Sequence, residues 1–180
     1  MGKIMKKFRM KPKETLLVAL TVCLLVVLGC SSSVTRQEQK NKQLFIQGVA
    51  AINNRDWDAL DTSIAPNYVR RCQATPDVKV NSLEEFKAFL KQDWATFPDS
   101  RITIDRLVAE GDLVAFYCTY TGTQKGQMGP FPASNKQMTL EFAGIHRIEN
   151  GKLVETWLTW DNLAALAQLG HFPASEQQTK

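Results

Sequence analysis

The chain has 180 residues, 22 of them basic and 18 acidic, yet the leader, residues 1–29, holds six of the bases and a single acid. The remainder therefore carries a net charge of about −1, which removes the electrostatic case for a nucleic-acid partner. Residues 30–180 are enough for one domain with its own core and too few for two.

The leader opens on Lys3, Lys6, Lys7, Arg9, Lys11 and Lys13 and continues as an apolar run from Thr15 to Leu28, shorter than the ~20 residues a spanning helix needs. It closes on Val27-Leu28-Gly29-Cys30, which resembles a bacterial lipobox. Residues 1–29 are thus expected to be a signal peptide and Cys30 to be acylated. The protein would be exported and anchored by lipid in the bacterial envelope, with Ser31 favouring an outer membrane where there are two. An uncleaved N-terminal anchor is the alternative.

Residues 30–42 read as a polar tether merging into a helix, because from Arg36 to Asn54 the apolar residues Leu44, Phe45, Val49 and Ile52 recur at helical spacing. A short helix around Trp57–Ala65 stops near Pro66. Ser82 and Glu85 have the spacing of a capping box, and Leu83, Phe86, Leu90 and Trp94 form one stripe, so a helix is expected over Ser82–Phe97. The period then changes to alternation. Strands are expected over 102–108 and 113–121, joined at Glu110-Gly111-Asp112, and over 137–148 and 152–160, joined by Asn150-Gly151, a strong hairpin signal. A shaped loop rich in Gly and Pro lies between the pairs at 122–136. A C-terminal helix, Asn162–Leu169, ends at Gly170, and 174–180 is a polar tail. Helices first and strands afterwards predict an α+β domain over 43–173, its helices packed on one face of a curved antiparallel sheet. Cys72 and Cys118 are compatible with a disulfide or with buried thiols. With only His146 and His171 and no close cysteine pair, no metal site is expected.

Two acids, Glu155 and Asp161, lie on and just after the second strand of this hairpin. A regular two-residue loop sets Glu155 opposite His146 and Trp157 opposite Gly144. In the first strand the apolar set is Met138, Leu140, Phe142, Gly144, His146 and Ile148, so Leu153, Glu155, Trp157, Thr159 and Asp161 would face inward with it. Glu155 and His146 could then form a wholly structural pair. A carboxyl group in an apolar pocket has its pKa raised toward neutrality, as a general acid or base requires. Asp161 could do that, or could cap the helix just after it.

The motifs FPDS at 97–100, AEGDLVA at 109–115, GTQKGQMGPFP at 122–132, HRIENGKLVETW at 146–157 and DNLAALAQLG at 161–170 resemble, in order, those of the SnoaL-like polyketide cyclases (ester cyclases) of the nuclear transport factor 2-like superfamily. The resemblance covers Leu44 to Pro173. It implies a cone-shaped α+β barrel enclosing one apolar pocket, and chemistry without a metal or other cofactor; Phe142 and Trp157, in the inward set of the hairpin, are the candidates to line that pocket. It also implies that Asp161 is the general acid and base of an aldol-type closure, with His146 as a second polar residue. The chain departs from relatives at Gln124, where they carry the histidine of a GTH motif, and at Arg71, where they carry a histidine. Gln124 can hydrogen-bond but not exchange protons, and Arg71 stays cationic and could bind a ligand carboxylate or sulfate or lie on the surface, as most arginines do. Three roles are compatible with these residues. The protein could be an acid/base cyclase, isomerase or hydrolase acting on a hydrophobic carbonyl or ester compound. It could be a lipoprotein that binds an apolar small molecule in the same pocket, with Asp161 and Glu155 fixing its polar end. It could be a homodimer, through an outer patch of Ile145, Leu158 and Trp160.

Overall fold

The computed structural model describes residues 36–172; the leader, Cys30 and the tail lie outside the described residues. Helix α1 spans 36–54 and buries Phe45 against Val114 and Phe116, with Leu44 and Val49 beside it. Asn53 fastens its end to the sheet. Its amide donates to Ile102 O and accepts from Ile102 N–H, both at 2.8 Å, as a neighbouring strand would.

Helix α2 (Trp57–Ser63) begins where Asp56 accepts the Ala59 N–H at 3.0 Å. It stops at Ser63 because the chain passes directly into strand β1 (Ile64–Cys72). Sequence pattern missed this strand, since Pro66 and Asn67 break its first half. Pro66 is tolerated because β1 is an edge strand whose pairing is irregular between Ile64 and Val69. From Tyr68 the alternation is regular, with Tyr68, Arg70 and Cys72 inward and Arg71 outward. Helix α3 (Leu83–Thr96) is capped reciprocally: Ser82 Oγ accepts the Glu85 N–H at 3.1 Å and Glu85 Oε2 accepts the Asn81 N–H at 2.6 Å. It buries Leu83, Phe86 and Leu90 against Tyr68 and Val80.

The expected antiparallel strands are β2 (Arg101–Glu110), β3 (Leu113–Thr123), β4 (Gln137–Glu149) and β5 (Lys152–Trp160). The sheet order is β1-β5-β4-β3-β2 and β1 runs parallel to β5, so the curved sheet is mixed, and it does not close into a barrel. Helix α4 (Asn162–Leu169) packs Ala165 and Leu169 on Met138 and Leu140 and ends at the left-handed Gly170. Cys72 and Cys118 are free. They lie on strands separated by two others, roughly 14 Å at about 4.8 Å per strand, beyond the reach of a disulfide.

One irregularity decides what the sheet presents to its helices. Asn150 and Gly151 make the expected tight turn, with φ of 51° and 72°, and pair Glu149 with Lys152 and Ile148 with Leu153. The register then slips, so that Arg147 faces Glu155 and His146 faces Thr156. Val154 is the extra residue of a β-bulge, and beyond it every side chain of β5 changes face. Thr156, Leu158 and Trp160 point inward. Leu158 and Trp160 are therefore not on the outer patch with Ile145; Trp157 and Tyr117 are the exposed residues there. Gly144 is needed on the inner face, where a Cβ would lie 2.5 Å from the Phe116 ring and 2.4 Å from Trp157 O.

Candidate active site

Between α1, α3 and the inner face of the sheet lies a cavity of about 730 Å³, within the size range of small-molecule sites. Its walls are mostly apolar and include Val49, Phe86, Phe89, Phe142, Leu158 and Trp160. Three sets of the polar groups that line this space bear on its chemistry.

The first is Asp93 on α3 with Tyr120 on β3. The tyrosine hydroxyl donates to the carboxylate, 3.2 and 3.1 Å from its two oxygens. Loss of water around Asp93 pushes its pKa up to about 6, against the opposing pull of the Tyr120 hydrogen bond and of the charges on Arg70 and Arg55. Burial likewise pushes the Tyr120 phenol up.

The second is Arg70 on β1, which is 7% exposed. Its guanidinium lies over Phe89 at 4.5 Å and over Trp160 at 5.7 Å. Nη1 is buried and has no hydrogen-bond partner among the described residues.

The third is His146 on β4. With Tyr68 donating to Thr156 Oγ1 at 2.8 Å, the threonine has its one proton free for His146 Nδ1 at 2.7 Å, which leaves the imidazole proton on Nε2. The ring packs on Phe45 and Phe116, with centroids 5.0 and 4.8 Å away. Burial pulls its pKa down to about 3, so it is neutral at ordinary pH. Tyr68 is pushed up to about 12 by the same cause.

Of the residues singled out in the sequence, His146 and Phe142 line the cavity. Asp161 does not: it is exposed, and its Oδ1 accepts the Ala164 N–H at 2.9 Å as the N-cap of α4. The bulge that turns Thr156 inward also sends Glu155 and Trp157 outward. Glu155 pairs with Arg71 Nε at 2.6 Å and Arg147 Nη2 at 3.3 Å, and these arginines, Arg71 first, hold its carboxyl below the usual range. Arg71 is thus committed to an outer-face ion pair. Gln124 is fully buried in the 122–136 loop and not in the cavity wall. Its amide donates to Gly126 O and Pro132 O, and its Oε1 accepts from His171 Nε2 at 2.7 Å.

Asp93, Tyr120, Arg70, Tyr68 and Thr156 were not anticipated, though a signal existed for two of them. Asp93 sits three residues after Leu90 and seven after Phe86, on the buried stripe of α3. Tyr120 shares the parity of Val114, Phe116 and Cys118. Arg70 and Thr156 depend on an unrecognised strand and an unrecognised bulge.

Helices packed on one face of an open, curved, mixed five-stranded sheet, with a pocket between them, make this a nuclear transport factor 2-like α+β domain. The family model for SnoaL-like polyketide cyclase matches residues 43–169, and the chain belongs to that family. No curated protein matches it in sequence. Among solved structures, TsrD from Streptomyces laurentii is 30% identical with a TM-score of 0.66, covering 74% of this chain and 97% of its own. IdmH from Streptomyces antibioticus, described as a candidate polyketide cyclase, is 28% identical with a TM-score of 0.64, covering 72% and 98%. AclR from Streptomyces galilaeus, described as a candidate hydroxylase, is 25% identical with a TM-score of 0.67, covering 78% and 87%.

Proposed function

We propose that the protein is an acid/base enzyme acting on a small hydrophobic carbonyl or ester compound held in the cavity, with Asp93 as the proton-transferring group. The supporting observation is the Asp93 carboxyl on an otherwise apolar stripe, pushed up to about 6 and steadied by Tyr120. Such a group is ionised at neutral pH yet basic enough to take a proton from carbon alpha to a carbonyl. The same group returns that proton, to carbon in an isomerisation or to the alkoxide formed when the carbanion closes on a second carbonyl. His146, neutral and hydrogen-bonded through Thr156, offers a polar wall and not a charge. The site of action is assigned to the bacterial envelope, with the chain anchored through Cys30, on the strength of the basic and apolar leader and Leu28-Gly29-Cys30.

A binding role in the same cavity is the second reading. It is favoured by the position of Asp161, which leaves the aspartate that the family resemblance implied as catalytic outside the cavity. Exchange of α-protons with solvent deuterium separates the two. A panel of hydrophobic ketones and β-keto esters is incubated with the protein in D₂O and followed by NMR. Enzyme-catalysed exchange that drops about 100- to 10,000-fold in Asp93→Asn supports catalysis; exchange equal in wild type and variant leaves the binder.

A further inference from the structure

Arg70 is a cation that the domain has buried without giving it an anion. Among the described residues no carboxylate lies within ion-pair distance of it, and the nearby acid that senses its charge, Asp93, is hydrogen-bonded to Tyr120. Its apolar neighbours Phe89 and Trp160 offer only ring faces. Nη1 is left with no acceptor, although it belongs to a residue that lines the cavity. A buried guanidinium with an unused N–H is one of the costlier arrangements a fold can keep. A ligand anion seated against Nη1 removes that cost.

We propose that the cavity selects hydrophobic molecules bearing a singly charged carboxylate, which docks on Arg70 while the apolar body fills the space toward Phe86, Phe142 and Leu158. A single negative charge is preferred because one guanidinium faces this part of the cavity and Asp93 already stands near it as a second potential anion. This inference rests on the reading of the cavity as a ligand site and narrows its substrate class. It also revises which of two adjacent arginines is involved: Arg71 is occupied by Glu155 on the outer face, and Arg70 is the one without a partner.

Decanoate and 1-decanol share an alkyl chain and differ in charge, so titration calorimetry of both at pH 7.5 tests the proposal on the intact domain. Wild type is expected to bind decanoate at least about 30-fold more tightly than decanol, the scale of losing one partner of a buried charge pair. Arg70→Met should bind the two about equally, with decanol affinity retained, and Arg70→Lys should restore part of the preference. Equal affinities in wild type overturn the proposal without any need of a variant. So does a decanoate preference that survives in Arg70→Met. In either case retained decanol binding leaves the cavity reading standing. Binding of neither compound by wild type overturns both.

Discussion

Removing the Asp161 carboxylate separates capping from chemistry. Its Oδ1 receives one bond, from the Ala164 N–H at 2.9 Å, at an exposed helix start. Asp161→Ala should therefore cost about 1 kcal/mol, within the ~0.5–2 kcal/mol range for lost N-caps. For a domain of this size that lowers Tm by roughly 2–6 °C. Asn caps as well as Asp, so Asp161→Asn should leave Tm within about 1 °C of wild type. Because α4 contributes Ala165 and Leu169 to the cavity wall, the Ala variant could disturb ligand binding by fraying; the Asn variant cannot act that way. Calorimetric melting and α-proton exchange on both variants give the answer. An Asp161→Asn protein that melts like wild type but loses exchange would refute the cap-only role and the assignment of chemistry to Asp93.

Asp93 also sets a pH signature. Its folded pKa, about 6, lies above the unfolded value, so the unfolded chain ionises first and wild type loses stability as pH rises from about 4 to 6. The loss relative to Asp93→Asn should approach, as an upper bound, about 3 kcal/mol, measured as the difference between urea titrations at pH 4 and 7.5. Taking the difference cancels His146, whose depressed pKa works with the opposite sign, its stability being lost as pH falls from about 6.5 toward 3. If Asp93 is the base, its exchange rate rises with pH through about 6 and then levels, and a profile flat from pH 5 to 8 would exclude it. Gly144→Val should destabilise by about 1–3 kcal/mol in urea unfolding, because the new Cβ meets the Phe116 ring at 2.5 Å. Cys30→Ser should abolish incorporation of labelled palmitate in a bacterial host; unchanged labelling would reject the lipid anchor at that residue.

The long elements were legible because their signals are local. The Ser82/Glu85 pair marked the start of α3 within one residue, and Asn150-Gly151 fixed the turn between β4 and β5. The features that escaped were set by tertiary context. An edge strand can carry Pro66 and a pair of arginines because its outer side meets no full strand, only the single bridge from Arg70 to Val80, so β1 lacked the pattern of a strand while supplying Tyr68 and Arg70. A bulge has no compositional mark. Val154 reads as any strand residue, and the extra position it occupies exchanged the inward set Glu155, Trp157, Thr159 for Thr156, Leu158, Trp160. His146 and Phe142 were placed correctly because β4 is regular on its β3 side.

The exchange of faces has a chemical logic. In a regular hairpin Glu155 would lie inside opposite His146, and Arg71 and Arg147 would be left outside without their shared carboxylate. With the bulge, Glu155 binds both arginines on the outer face, where its partner Arg71 stays exposed to water. The inner face receives a hydroxyl, which can pass a hydrogen bond between Tyr68 and His146 without importing a charge. The inner wall then holds the buried Arg70 guanidinium on β1 and, near it on α3, a carboxyl of nearly neutral pKa, Asp93. A second buried carboxylate at position 155 would have offered Arg70 a rival anion and repelled any anionic ligand. Moving it outward leaves the Arg70 guanidinium unpaired and, on the function proposed above, leaves proton exchange to Asp93.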